Sequence, residues 1–420
     1  MSLQGPIVVV ADGPAADVTD ALSAAGAFPM IETTWSDAPN AFVSVNPAAV
    51  VIADFHAPES ESARMLDLQI ATASGPIVPV IARAESGQDS AVPVALPVDA
   101  RLPMARLVGR LHSALRVRAL HATVLRRIET FAAQGGALPE LPTHDALKDA
   151  TVLILGRGPL YPTLSVAIGE RVSMVGAFSV EAAATHLDAR DIDGVVVGDG
   201  FSPRRVEAFL TCLAEEPRFR DIPVAVVGEG TPDFAETLSN IDHIDGDPVR
   251  LVPRMLPLVR MHAFEVRLKR MLKSLDANGM FDPDTGLLTH DAFGRDLTTA
   301  IAQAAERSLP LSIARFSFDG GYDARASFDA ARLVTRLVRD IDFATRDEDG
   351  AIFIVFTQTD LRHAHVVVRR IAGALRNHML AAYRPQEKIT ANITLATLKN
   401  GDTIDSLLMR VMGHQVVAAE

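Results

Sequence analysis

The chain reads as three α/β domains in series, two of them doubly wound on parallel sheets and the third an α/β sandwich of a different order. Short apolar runs alternate with helix-like segments from the start, at residues 7–10 (IVVV), 49–53 (AVVIA) and 77–81 (IVPVI). Such runs, bounded by turn residues and separated by helical stretches, are the pattern of parallel strands with crossover helices. The same rhythm restarts at 150–155 (ATVLIL), 194–197 (GVVV) and 222–227 (IPVAVV), so the chain carries two copies of one module. From Phe281 onward the order changes to helix 291–307, strand 311–318, helix 327–338, strand 351–357, helix 360–377 and strand 389–397, a mixed α/β sandwich.

The boundaries follow from breakers and periodicity. A long helical stretch over 105–132 ends the first module, and Gly135, Gly136 and Pro142 interrupt the chain after it. The domains expected are therefore 1–130, a linker at 131–148, 149–276 and 277–420. Within 250–276, Leu258, Met261, Phe264, Leu268, Met271 and Leu275 recur at three- and four-residue steps among Arg260, Arg267, Lys269, Arg270 and Lys273. This is a helix that either packs on its own domain or serves as a stalk pairing with a second chain, and a homodimer is expected.

Bulk properties narrow the function classes. The 420 residues are 48% hydrophobic, which suits two or three ordinary α/β domains. A net charge of −12 argues against DNA binding, since phosphate contacts need a concentrated basic face. Cys212 is the single cysteine, so no internal disulfide framework or paired-cysteine zinc site exists. No apolar run reaches the roughly 18 residues of a membrane span. A cytoplasmic protein without membrane insertion is expected.

Each repeated module has a carboxylate after its third strand run: Asp54 follows 50–53 (VVIA), with Pro58 four residues on, and Asp199 occupies the same place in the second copy. Asp12 follows the first strand. In these features the modules resemble response-regulator receiver domains, which are flavodoxin-like. The resemblance implies that Asp54 is the candidate phosphoacceptor and that Asp12 and Asp54 are the candidate Mg²⁺ ligands. Residues 81–84 (IARA) supply no hydroxyl where that family has one, and Leu96-Pro97 stands for its Lys-Pro. A pseudo-receiver without phosphorylation is thus the alternative. The second module departs further, with Gly156-Arg157 for the acidic pair and Asp247-Pro248 for Lys-Pro, and is expected to dock or dimerise.

The third module opens on Asp282-Pro283-Asp284-Thr285-Gly286-Leu287, and a hairpin sequence, Glu348-Asp349-Gly350-Ala351-Ile352, lies between its second helix and the next strand. These features and the element order are similar to GGDEF domains, the diguanylate cyclases. The resemblance extends along the whole chain to the PleD-type receiver–receiver–GGDEF regulators. In that family metal ions sit on a first-strand aspartate and an acidic hairpin residue. Here the first strand reads Arg315-Phe316-Ser317, and two carboxylates replace the glycine pair. The loop at 319–322 (DGGY) is short, and the triphosphate-gripping Lys and Arg are missing from 408–414. Catalysis is expected to be lost.

The family's product site, an Arg-x-x-Asp ahead of the hairpin, is matched by Arg339 and Asp342. By the resemblance these would bind cyclic di-GMP, with Arg370 on the following helix and Arg307 donated by a neighbouring domain. The chemistry agrees: a guanidinium forks onto guanine O6 and N7, and a carboxylate accepts from the ring N–H and amino group. The resemblance further implies a ligand-controlled adaptor of cell-cycle signalling. Such an adaptor would be recruited to a cell pole and would aid proteolysis of a regulator, with a protease adaptor and its substrate as partners. An active cyclase with an unusual site and a nucleotide-independent phospho-signalling scaffold are the rival readings.

Overall fold

The structure, a computed structural model, describes residues 3–53, 61–84, 95–133, 147, 150–189, 191–228, 238, 240–244, 248–276, 280–282, 285–318, 324–382 and 391–413. Two compact units make up the chain. The first comprises mainly 6–121 and 140–269, and the second mainly 122–139 and 270–420.

The first unit contains both doubly wound sheets. Strands β1 (Gln4–Val10), β2 (Phe28–Thr33), β3 (Ala49–Ile52), β4 (Val80–Ala84) and β5 (Leu96–Asp99) lie in the order β2-β1-β3-β4-β5. The pairs β1–β3, β3–β4 and β4–β5 are parallel. Helices α1 (Ala16–Ala24), α2 (Ala38–Val45), α3 (Glu61–Thr72) and α4 (Met104–Ala133) accompany it. The second sheet is built from β6 (Thr151–Leu155), β7 (Ser173–Ala177), β8 (Gly194–Val197), β9 (Val224–Val227) and β10 (Ile241–Ile244), in the order β10-β9-β8-β6-β7. Counted within its own module, each sheet has the order 2-1-3-4-5, the flavodoxin-like topology. Helices α5 (Tyr161–Gly169), α6 (Val180–Ala189), α7 (Pro203–Glu215) and α8 (Leu251–Asp276) complete the second module. Strands β3 and β8 are buried along their whole length, as continuous Val/Ile runs covered on both faces require.

Strand β4 begins three residues later than the apolar run at 77–81 suggests. Pro76 and Pro79 lack N–H groups. The Ile77 N–H instead donates to His121 Nδ1 at 3.1 Å, and Arg118 of α4 donates to the Pro76 and Ile77 carbonyls at 2.9 and 2.6 Å. The segment is thus satisfied by a helix rather than a ladder.

The two modules exchange charges through their last strands and helices. Arg110 of α4 pairs with Asp242 of β10 at 2.9 Å, and Arg254 of α8 pairs with Asp99 of β5 at 3.0 Å. All four side chains are under a tenth exposed. Arg116 of α4 adds Asp221 at 2.7 Å and Glu265 of α8 at 3.4 Å. Burial alone would raise Glu265, but the Arg116 and Lys269 cations outweigh it and hold the carboxyl below its usual value. The stalk positions Leu258, Phe264, Leu268 and Leu275 of α8 are already buried within the single chain, so they are not free to pair with another.

The second unit holds a four-stranded sheet, β12 (Phe343–Arg346), β13 (Ile352–Thr357), β11 (Leu311–Phe318) and β14 (Ala391–Thr397), in the order β12-β13-β11-β14, every neighbour antiparallel. The period of two sends Leu311, Ile313, Phe353 and Val355 to one face and Ala314, Phe316, Ile354 and Phe356 to the other. Helices α9 (His290–Glu306) and α12 (Ile404–Val411) cover the first face, together with Phe131 from the end of α4. Helices α10 (Ala324–Leu337) and α11 (Leu361–Ala382) cover the second. The expected sandwich is present. Sequence reasoning placed β11 correctly and left out β12 and α12.

Candidate functional site

The third-domain sheet has two ends, and the site residues divide between them. Register sets the division: Phe343 faces Val355 at one end, and Arg346 faces Ile352 beside the β12–β13 hairpin at the other.

The hairpin end is closed by its own groups. Gly350, at φ +83°, makes the turn that other residues disfavour. The Gly350 N–H donates to the Asp347 carbonyl at 3.0 Å, and Asp347 and Ala351 pair through their backbones at 2.8 Å. Asp349 Oδ1 accepts from the Ala351 N–H at 2.8 Å, while its Oδ2 takes Arg315 Nη2 at 2.6 Å. The Arg315 guanidinium also stands 5.8 Å from the Phe353 ring centroid. The guanidinium of Arg315 and the carboxylate of Asp349 are thus paired with each other at this end of the sheet. The loop at 319–322 lies outside the described residues.

The leading segment of the domain braces β12. Thr285 Oγ1 donates to Asp282 Oδ2 at 2.9 Å, and the Leu288 N–H donates to the Ala344 carbonyl at 2.9 Å. Thr345 Oγ1 returns a bond to the Leu288 carbonyl at 2.8 Å. A four-residue strand is thereby pinned on its free side.

At the opposite end, α10 stops at Leu337 and a turn follows, closed by the Asp342 N–H donating to the Arg339 carbonyl at 3.0 Å. Arg339 is exposed, whereas Asp342 is 7% exposed. Asp342 Oδ1 accepts from the Thr357 N–H at 3.0 Å and lies 3.5 Å from Thr357 Oγ1. Among the described residues its Oδ2 accepts no hydrogen bond. Burial raises the Asp342 carboxyl to about 7, against the opposing pull of Arg339, the Thr357 N–H and Arg126. Arg370 of α11 is exposed, and its Nη2 donates to the Leu337 carbonyl at 3.5 Å. Arg339, Asp342 and Arg370 thus all lie near the end of α10.

Arg307 does not join them. It caps the C-terminus of α9, half-buried, with its value lowered by burial, and no hydrogen bond or ion pair among the described residues links it to Arg339, Asp342 or Arg370. A contribution to another domain, as expected for it, is a separate matter from this single-chain site.

Sequence reasoning missed Arg126. It projects from α4, stacks 4.6 Å from the Phe343 ring centroid and donates to the Ile341 carbonyl at 3.4 Å, reaching Asp342 from the buried side. Arg126 and Arg127 both meet Asp296 of α9, which is fully buried and also accepts from Thr130 Oγ1 at 2.7 Å. The signal available was a helix whose arginines fall among apolar positions, which marks buried charge needing a partner.

In the first module, Asp54 and Pro58 lie outside the described residues. Asp12 is exposed, and its Oδ1 accepts from the Trp35 N–H at 3.0 Å. At the carboxyl ends of the same strands Arg83 pairs with Asp17 at 2.8 Å and donates to the Ala100 carbonyl at 3.3 Å, a cation where a metal-binding site gathers acids. In the second module, Asp199, just after β8, reaches across to the loop that joins β6 to α5: both carboxylate oxygens face the Leu160 N–H at 3.3 and 3.4 Å. A Cβ on Gly158 would stand 2.2 Å from Asp199 Oδ2. Asp199 is packed as a structural cap. No helix of the described residues is long and apolar enough to cross a membrane.

No protein-family profile matches the chain, and no curated protein does. Among solved structures, it is similar to the coiled coil and GGDEF domain of DgcB from Caulobacter crescentus in complex with c-di-GMP, at 20% identity and TM-score 0.30, over 35% of this chain and 84% of that one. It is also similar to the diguanylate cyclase SiaD in complex with its activator SiaC from Pseudomonas aeruginosa, at 21% identity and TM-score 0.30, over 35% of this chain and 62% of that one. The GGDEF domain of FimX from Pseudomonas aeruginosa is similar at 18% identity and TM-score 0.29, over 32% of this chain and 90% of that one.

Proposed function

We propose that this chain is a non-catalytic regulator with two receiver-like modules and a degenerate GGDEF-type domain, and that it binds cyclic di-GMP at Arg339, Asp342 and Arg370. The observation that carries the reading is Asp342: a buried carboxylate whose Oδ1 accepts from Thr357 and whose Oδ2 accepts no hydrogen bond among the described residues, three residues from an exposed guanidinium. A carboxylate so placed suits the ring N–H and amino donors of guanine, and the two arginines suit its O6, N7 and the phosphates. Loss of cyclase chemistry is supported by the Arg315–Asp349 pair, which sets a cation in place of metal.

The regulator would act as an adaptor. Ligand binding selects one arrangement of the chain, within a homodimer or between its own domains, and shifts the population only by its differential affinity. The family resemblance points this adaptor toward regulated proteolysis of a cell-cycle protein and recruitment to a cell pole. Phosphorylation at Asp54, with Mg²⁺ held by Asp12 and Asp54, would be a second input.

Calorimetric titration of cyclic di-GMP into the full chain and into Arg339→Ala tests the ligand assignment. Binding by the wild type that weakens at least tenfold in the variant (about 1.4 kcal/mol) is expected; no binding, or equal binding by both, removes it. A GTP-turnover assay tests the rest, since cyclic di-GMP formation by the wild type would overturn the non-catalytic reading.

A further inference from the structure

The outer face of α11 is unlike the rest of this acidic chain. Ala364, Val368, Ile371 and Leu375 turn inward to the sheet. On the opposite side the helical period aligns Arg362, Val366, Arg369, Gly373 and Arg376 in one stripe, at alternating steps of four and three residues. At 1.5 Å per residue the stripe is roughly 21 Å long. The helix from Leu361 to Ala382 contains no Asp or Glu, although the chain as a whole carries a net charge of −12.

Each member of the stripe is unexplained by the fold itself. Arg362, Arg369 and Arg376 are exposed, and among the described residues none has a hydrogen bond or ion pair. Val366 is 68% exposed. Among the described residues, Gly373 has no atom within 4 Å of where a Cβ would stand, so none of them requires a glycine there. Its presence in a helix interior costs roughly 0.5–1 kcal/mol relative to alanine.

We infer that this stripe is a docking seam for an acidic amphipathic helix of another protein. Arginines at seven-residue intervals present one guanidinium every two turns, the repeat at which a second helix returns its own side chains to a seam. Val366 supplies an apolar contact between two of the charges, and Gly373 lets the partner's backbone approach closely. A second copy of the same seam would set arginine against arginine. Nucleic acid is disfavoured because no aromatic side chain lies on the stripe to stack a base. Arg370, by contrast, lies round the helix toward α10, where it meets the Leu337 carbonyl. The seam is distinct from the candidate nucleotide site and does not depend on it.

The test uses the full chain and a fluorescently labelled model peptide, an amphipathic helix of about three heptads with glutamates at seven-residue intervals beside an alanine and leucine seam. Its sequence-scrambled counterpart is the control, and anisotropy reports binding. The wild type is expected to bind the helical peptide in preference to the scrambled one. Arg362→Glu with Arg369→Glu, and separately Gly373→Leu, are expected to weaken it about tenfold or more. Neither variant should unfold at a lower temperature than the wild type, Gly373→Leu gaining slightly from the removal of a helix-interior glycine, and cyclic di-GMP titrations should be unchanged. Equal binding of the two peptides, or binding indifferent to both variants, overturns the inference. So does a single-stranded oligonucleotide or a phosphatidylserine vesicle that shows the arginine dependence in place of the peptide.

Discussion

Arg315 on β11 and Asp349 in the β12–β13 hairpin are joined at 2.6 Å across two antiparallel strands. The pair holds a cation and an anion of the protein's own where the family resemblance calls for two carboxylates around metal. It is partly exposed on both sides, at 21% and 52%.

Because of that exposure the ion pair contributes little to stability. Arg315→Ala should lower the unfolding free energy by roughly 0–1 kcal/mol, measured by urea denaturation. The hairpin should persist, since its turn is closed by the backbone bonds of Asp347, Gly350 and Ala351. A loss of several kcal/mol would show that the pair, and not the turn, organises this end of the sheet.

Asp342 should make both stability and ligand affinity pH-dependent. Its carboxyl is raised from 3.8 to about 7 in the folded chain, so the folded state holds the proton more tightly than the unfolded one. That contribution is complete below the unfolded value and is lost as pH rises through about 7. Wild-type stability relative to Asp342→Asn should therefore fall across this window, by at most about 1.4 kcal/mol for each pH unit crossed. Cyclic di-GMP, whose guanine donors need the ionised form, should bind more tightly at pH 8 than at pH 6. Parallel profiles for wild type and variant would exclude Asp342 as the titrating group.

Asp296 anchors the end of α4 to α9. Its replacement by alanine leaves Arg126 and Arg127 buried without their carboxylate and should cost roughly 3–5 kcal/mol. Denaturant melts of Asp296→Ala and of the isosteric Asp296→Asn would measure it, with asparagine the milder because it still accepts from Thr130.

Gly158→Ala tests the cap role of Asp199. The added Cβ would meet a carboxylate that already faces the Leu160 N–H, and either the loop or the carboxylate has to move. A destabilisation of about 1–3 kcal/mol is expected. Asp199→Ala in the same background should reduce that penalty, as a double-mutant cycle would show.

Strands β3, β8 and β11 were legible because an unbroken apolar run, buried on both faces along most of its length, carries the signal. Strand β12 escaped because its four residues, Phe-Ala-Thr-Arg, are flanked by charge and held in place by Leu288, fifty-odd positions earlier in the chain. Helix α12 did carry a local sign, the Thr403–Ser406 capping box. The order of Arg339, Asp342 and Arg370 along the fold was legible in the sequence. The depth of Asp342 was not, because it depends on Thr357 and on Arg126, residues that meet it only through tertiary packing. Likewise Arg315 could be read as an intrusive cation, but its grip on Asp349 needed the register of two strands.

The crossed pairs Arg110–Asp242 and Arg254–Asp99 make the two doubly wound modules poor candidates for transplantation. Each module lends an arginine from its last helix and an aspartate from its last strand, so excising either one takes buried charges away from their cross-module partners, Asp99 alone keeping a second cation, Arg101. Evolution can duplicate such a module freely at the level of the gene. With the reciprocal charges in place, the two copies should unfold as one unit rather than as detachable cassettes.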